Sequence, residues 1–337
     1  VLGNYPASLE YDRKALDLAR EIGNKKSEGI ALGNVGVYYA NTGNIPEATK
    51  LFLEKLAVMK ELDDQAQQVG TLSNLGALND WQGNVPEALK RYGEALRILE
   101  KLNDPPQKAL IMGNMGAAFE KLSDYPKALD HYHQALKIFE DLKDKGDTAW
   151  MLGNIGVIAT KLGNDAEALG YFEKALAILQ EVGNRKYEGW ALGMMGVIYK
   201  GLGQPEKSVP LIERALAIAR EIGDRRLEFD HLANLGSHYR EAGEYDKSAE
   251  ALAQALKIAE QIGNKVSITE AHTMLGILFR DRKDYDRSIA EYERALKLGR
   301  EIGVPRTIWN PEWGLAVSYQ KKGEVGEAVR HYRSALE

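Results

Sequence analysis

The sequence predicts an all-α fold made of repeated pairs of antiparallel helices. Three observations support this prediction: a repeat of forty residues, two turn signals in each repeat, and apolar residues at helical spacing between the turns. An Ala-Leu pair marks one position of the repeat, where Lys55 replaces the Ala once, and a Gly marks a second position. The Ala positions are Ala15, Ala95, Ala135, Ala175, Ala215, Ala255, Ala295 and Ala335, and the Gly positions are Gly36, Gly76, Gly116, Gly156, Gly196, Gly236 and Gly276, followed by Ala316.

Each repeat contains two helices, A and B, because two turn signals interrupt it. In TGNIPEA, Gly43 suits the left-handed residue that ends a helix, and Asn44 with Glu47 has the spacing of a capping box; QGNVPEA repeats the pattern at Asn84 and Glu87. Proline falls in the first turn of the next helix, where a missing N–H is harmless, at Pro46, Pro86 and Pro126. The other turn reads EIGN, EVGN or EIGD.

Apolar residues at helical spacing define the faces that meet in the core. On helix A of the first complete repeat these are Leu32, Val35, Gly36 and Tyr39, and the equivalent positions of other repeats are also small or apolar. Helix B contributes Ala48, Phe52 and Leu56. We expect each Gly of the Gly36 series to let a helix B cross closely.

The order of these residues resembles that of tetratricopeptide repeats: an apolar residue, Leu-Gly, an aromatic, then Gly-Asn or Gly-Asp, Ala, an aromatic and Ala. The repeat has forty residues where the family has thirty-four, a longer form similar to Leu-Gly-Asn repeat adaptors, kinesin light chains and bacterial tetratricopeptide-repeat regulators. The resemblance implies an all-α solenoid, a right-handed superhelix of antiparallel helix pairs with the A helices on its concave surface.

The repeat predicts a single domain over residues 1–337. A partial repeat supplies helix B at 1–23, seven full repeats cover about 24–303, and the last repeat, about 304–337, stops within helix B. Neither end carries a polar capping helix, although solenoid ends need caps for solubility. We therefore expect a fragment of a longer protein, or end-to-end self-stacking through the uncapped terminal helices.

Composition argues against several functional classes. The net charge is -5 without a basic stripe, so nucleic acid is not the expected partner, and no apolar stretch is long enough for a membrane span. The chain lacks cysteine, which fits a cytoplasmic protein. His131 and His133 diverge on a helix, and neither a metal-ligand set nor a nucleophile with its base occurs, so we expect no catalytic residues, no metal and no cofactor.

The stripe of each A helix opposite the core, called here the A-helix face, is mostly small, apolar or Asn where charged residues are expected. A continuous surface of this kind is typical of interaction sites. The candidate binding residues are Asn34, Asn74, Asn114, Asn154 and Asn234, the apolar Val37, Val157 and Val197, the aromatic Trp150 and Trp190, and the basic rim residues Lys200, Arg240 and Arg280.

Each set of candidates has a structural alternative. The amides either pair with the backbone of an extended peptide or bridge neighbouring A helices. The tryptophans either anchor a partner or cover the junction of two A helices. The small residues at the Gly33, Gly113 and Gly193 positions either expose the surface to a ligand or allow tighter packing of A helices. The rim charges either orient a peptide, its acidic part toward the C-terminal repeats, or are simply solvated.

The function predicted from the sequence is that of a protein-interaction scaffold, which binds an extended or helical peptide segment in the groove of the A helices. The alternative is a regulatory or sensor region of a larger signalling protein, such as a protease, an ATPase or a transcription regulator, that binds its own effector domain or a small ligand. A rigid or self-assembling spacer is a third interpretation.

Overall fold

The described part of the chain folds into α-helices. The computed structural model describes the backbone of residues 5–336 and the side chains of residues 9–336. Within these residues seventeen helices alternate with short turns and no strand occurs, which confirms the predicted all-α fold. None of these helices is long and apolar enough to cross a membrane.

Successive A helices begin forty residues apart, and so do successive B helices. The A helices are α2 (Lys25–Asn41), α4 (Gln65–Trp81), α6 (Pro105–Lys121), α8 (Lys145–Lys161), α10 (Arg185–Gly201), α12 (Arg225–Glu241), α14 (Lys265–Asp281) and α16 (Pro305–Lys322). The B helices are α1 (Tyr5–Glu21), α3 (Ile45–Glu61), α5 (Val85–Leu102), α7 (Tyr125–Asp141), α9 (Asp165–Glu181), α11 (Pro205–Glu221), α13 (Tyr245–Ile262), α15 (Tyr285–Ile302) and α17 (Val325–Leu336). The start predicted for the first helix B, over residues 1–4, lies outside the described residues.

The turns follow most of the predicted chemistry. Gly43 has a φ of 80°, in the left-handed region, and Asn44 Oδ1 accepts a hydrogen bond from the Glu47 N–H at 3.4 Å. The capping box predicted at Asn84 is wrong, because this side chain makes no capping bond and instead donates to Asn79 Oδ1 at 3.4 Å. The three predicted prolines lie in the first turns of α3, α5 and α7.

A large side chain of helix B fills the space beside Gly36, Gly76, Gly116, Gly196, Gly236 and Gly276. A Cβ placed on Gly76 would lie 2.5 Å from Cε1 of Tyr92, and one on Gly116 would lie 2.7 Å from the ring of Tyr132. Both rings are almost fully buried. These contacts confirm that the glycines of the Gly36 series let helix B cross closely. The predicted core residues Leu32, Val35, Ala48, Phe52 and Leu56 are also buried.

The small residues of the Gly33 series also lie against neighbouring side chains. A Cβ on Gly113 would lie 3.1 Å from Cε of Met151 on the next A helix, and one on Gly193 would lie 2.5 Å from Cε1 of His231. The space beside Gly33 is filled by Lys55, the residue that interrupts the Ala series. Packing between neighbours therefore accounts for these glycines without a ligand.

The helices divide into two compact units, the first ending at Asn164 and the second beginning at Asp165. Each unit contains several complete helix pairs and its own buried core. The single domain over residues 1–337 stays a prediction.

Candidate interaction surface

In the first unit, the predicted residues occupy the A-helix face. Asn34, Asn74 and Asn114 are exposed and Asn154 is half-buried. Val37 and Trp150 are 45% and 38% exposed, and Val157 is half-buried. The face combines amides with apolar side chains that no core contact fully covers.

Most of these amides are not used within the protein. In the described part of the chain, Asn34 donates from Nδ2 to Oδ1 of Asp12 at 3.0 Å, whereas Asn74, Asn114 and Asn154 make no hydrogen bond to another residue. These three side chains retain both their donors and their acceptor. The structure thus gives no support to a bridge from each Asn to the next A helix.

A pocket of about 190 Å³ lies between α6 and α8, and some of the predicted binding residues line it. Asn114, Asn154 and Trp150 line it together with Leu110 and Tyr132, whose hydroxyl donates to Glu120 Oε2 at 3.1 Å. Leu110 and Tyr132 were not among the predicted binding residues. Leu110 is recognisable in the sequence because it is equivalent to Trp150, whereas Tyr132 reaches the pocket from helix B.

Charged residues at the C-terminal ends of the A helices pair across successive repeats of the first unit. The Lys121 ammonium lies 2.7 Å from an Asp80 carboxylate oxygen, and the Lys161 ammonium lies 2.8 Å from Glu120. Each acidic residue meets a lysine forty-one residues further along the chain. We call these pairs, with their counterparts in the second unit, the rim ladder.

In the second unit the rim ladder has the opposite order of charges. The Lys200 ammonium lies 3.1 Å from Glu241, and the Arg240 guanidinium lies 2.6 Å from Asp281. Arg280 lies 3.6 Å from the same aspartate. The three basic residues proposed from the sequence to orient a ligand therefore already have acidic partners, and their role toward a peptide stays a prediction.

The other predicted residues of the second unit differ in exposure. Val197 is 37% exposed, and Asn234 is half-buried without a hydrogen bond to another described residue. The Trp190 ring packs edge-on against Phe172, with 5.6 Å between the ring centroids. Trp190 thus packs against helix B of the preceding repeat.

A second and larger pocket, of about 590 Å³, is formed by three consecutive A helices of this unit. We call it the α12–α16 pocket. Asp230 and Asn234 line it from α12, Glu270 from α14, and Arg306 and Asn310 from α16. Of these residues only Asn234 was predicted as a binding residue, because finding the pocket requires the three-dimensional arrangement of three helices.

Comparison with known proteins identifies the repeat. A family profile described as tetratricopeptide repeat matches residues 67–141, 147–221 and 225–301, well over half of the chain. The chain belongs to the tetratricopeptide repeat family. A profile described as anaphase-promoting complex subunit 5 matches only residues 2–75. No curated protein matches the sequence significantly.

Several solved structures share the tetratricopeptide-repeat architecture. The apo form of the quorum sensor NprR from B. thuringiensis is 15% identical, with a TM-score of 0.71 over 98% of this chain and 97% of that chain. BtubC from P. vanneervenii is 22% identical, with a TM-score of 0.59 over 65% and 92%. A signal transduction ATPase from Pyrococcus horikoshii with a tetratricopeptide repeat sensor is 18% identical, with a TM-score of 0.67 over 98% and 52%. At these identities the likeness establishes the fold.

Proposed function

We propose that this tetratricopeptide-repeat array is a protein-interaction module that holds an extended peptide segment along its A-helix face. The observation that carries the proposal is the group of unengaged amides, Asn74, Asn114 and Asn154, on a face that also exposes Trp150. An Asn side chain offers a donor and an acceptor together, which matches the donor and acceptor of a peptide backbone. Recognition of this kind tolerates many ligand sequences.

Apolar contact supplies the second part of the proposed mechanism. Trp150, Leu110 and Val37 keep more than a third of their surface exposed. Partly exposed aromatic residues at a surface are frequent anchors of binding energy, with truncation costing about 2 kcal/mol or more. The pocket between α6 and α8 places Trp150 beside two of the amides, so that one peptide residue can meet both kinds of contact.

Two of the structural neighbours support the proposal by what they are described to be. NprR is described as a quorum sensor, and a Rap protein that is 15% identical and has a TM-score of 0.64 was solved in complex with Competence and Sporulation Factor. The basic rim residues do not enter the proposal, because each of them already lies beside Glu241 or Asp281.

The test is a peptide-display selection against the wild type and an Asn74→Ala, Asn114→Ala, Asn154→Ala variant. Three lost amide contacts at about 1 kcal/mol each predict affinity about 100-fold lower for the selected peptides. A matched control replaces three amides on B helices, Gln134→Ala, Gln254→Ala and Gln261→Ala, and should retain wild-type binding. If the groove variant is folded and binds the same peptides with unchanged affinity, capture by the amides is wrong.

A second candidate is a sensor region of a larger signalling protein. The observation that favours it is the P. horikoshii ATPase, described as having a tetratricopeptide repeat sensor, of which this chain spans 52%. A sensor whose ligand binds elsewhere on the array would keep its ligand-induced rise in melting temperature in the triple Asn variant. Peptide capture on the A-helix face predicts the loss of that rise.

A further inference from the structure

The chemistry of the A-helix face changes at the α12–α16 pocket. One position of this face is uncharged in five successive repeats, at Ile30, Gly70, Leu110, Trp150 and Trp190. The next three repeats carry Asp230, Glu270 and Asn310 at the same position, and all three line the pocket. The introduction of acidic side chains therefore coincides with a cavity large enough for a side chain of a ligand.

The hydroxyl groups of the pocket act as hydrogen-bond acceptors. Thr269 donates its hydroxyl hydrogen to the Lys265 carbonyl oxygen at 2.9 Å, and Thr273 donates to the Thr269 carbonyl oxygen at 2.8 Å. Since each hydroxyl has one hydrogen, only lone pairs remain for a ligand. These hydroxyls favour a donor as the group that enters.

The two acidic side chains of the pocket each have one arginine partner, and one of these arginines, Arg306, also lines the pocket. Asp230 lies 3.3 Å from Arg226, yet burial raises the pKa of its carboxyl group above the ordinary value. Glu270 lies 3.5 Å from Arg306, whose side chain is 77% exposed, and exposed pairs of this kind contribute little. Arg226 also donates to Ser267 and does not line the pocket. A cation that enters the pocket would meet acidic side chains from both α12 and α14.

Apolar side chains complete the lining. Val266, Met274 and Pro311 form part of the wall. Lysine and arginine side chains combine an apolar stem with a cationic donor at the tip, and this combination matches a pocket with apolar walls and acidic acceptors. We propose that the α12–α16 pocket binds the basic side chain, Lys or Arg, of a peptide that lies along the A-helix face of the second unit. The part of this inference that makes the ligand a peptide rests on the proposed function.

The pocket is tested with a small probe, N-acetyl-arginine amide, which carries the side-chain cation without charged termini. Its matched control is N-acetyl-citrulline amide, which has nearly the same shape and no charge. Protein labelled with ¹³C at the methionine methyl groups places a reporter, Met274, in the wall of the pocket. We expect a saturable shift of the Met274 methyl signal with the arginine probe at millimolar concentration, and at least about tenfold weaker binding of the citrulline probe.

Two charge-neutralising variants complete the experiment. The double variant Asp230→Asn, Glu270→Gln should lower affinity for the arginine probe about tenfold or more. The control double variant Asp141→Asn, Glu260→Gln removes the same charge from exposed positions on B helices and should leave the affinity unchanged. The proposal is overturned if the Met274 signal does not move up to about 50 mM probe, if citrulline binds equally well, or if the pocket variant binds like the wild type.

The peptide selection separates this inference from the proposed function. If both are correct, the selected peptides that shift the Met274 signal share a basic residue at one position, and that preference is lost with Asp230→Asn, Glu270→Gln. If no peptide binds along the A-helix face but the arginine probe shifts Met274, the peptide function fails and the pocket remains a site for a basic group. A shift of the Met274 signal by tightly bound peptides without any basic residue would overturn the inference and leave the peptide function intact.

Discussion

The two glycines of α4 predict opposite effects of the same substitution. Gly70 is exposed with nothing within 4 Å of an added Cβ, so Gly70→Ala should stabilise the array by about 1 kcal/mol through helix propensity. Gly76→Ala brings the same gain in propensity, but its Cβ would lie 2.5 Å from Cε1 of Tyr92, a side chain 2% exposed. Overpacking of a buried ring costs about 1–3 kcal/mol, so we expect Gly76→Ala to be neutral or destabilising by up to about 2 kcal/mol.

Urea unfolding followed by far-UV circular dichroism measures both variants in the same helix. Tyr92→Ala, which removes the obstructing ring, provides the control, because Gly76→Ala added to it should recover the stabilisation seen at Gly70. The close approach of helix B would be refuted if Gly76→Ala raised the unfolding midpoint as much as Gly70→Ala does in the presence of Tyr92.

Three further predictions concern charge. Burial alone would raise the pKa of Glu188, but its bonds to Arg185 and Gln180 outweigh burial and hold the pKa below the ordinary 4.5. Its contribution to stability is therefore complete above pH 4.5 and falls in more acidic solution. In Glu188→Gln the free energy of unfolding should depend less on pH below 4.5. Burial lowers the pKa of His231 to about 4 from 6.5. The free energy of unfolding should therefore fall by about 3 kcal/mol as the pH drops from 6.5 to 4, because the unfolded chain takes up the proton first. Urea titrations at each pH should show this loss in the wild type and not in His231→Leu. Replacing Lys161 by Met should cost less than about 1 kcal/mol in low salt and almost nothing in 1 M salt, and a larger cost would contradict the view that this exposed pair is screened.

The core and most turns could be predicted from the sequence because the period repeats each local signal many times. Gly76 and its equivalents recur where a large residue follows sixteen positions later, and this spacing places helix B against helix A. The failure at Asn84 is local: its Nδ2 donates to Asn79 Oδ1, and its own Oδ1 accepts no hydrogen bond from the first turn of α5. A repeated sequence pattern does not show which hydrogen bond an individual side chain makes.

The candidate site was only partly predictable. Position within the repeat placed Asn114, Asn154 and Trp150 on one face, and the structure brings these three together in one pocket. The alternatives for the Gly33 series required the side chains of the following helix, Met151 and His231, which the sequence does not place. The α12–α16 pocket was missed because its lining residues come from three repeats that differ from the consensus.

The rim ladder restricts how repeats of this array can be recombined. In the first unit an acidic residue precedes its lysine by forty-one positions, whereas in the second unit a basic residue precedes its carboxylate. A chimera that joined the repeat containing Lys200 directly to a copy of the repeat containing Lys161 would bring two ammonium groups together. Exchange of modules between units should therefore cost up to about 1 kcal/mol more at low salt than exchange within a unit, unless the charge is inverted as well. The order of charges thus gives each repeat a direction that its helix pattern alone does not reveal.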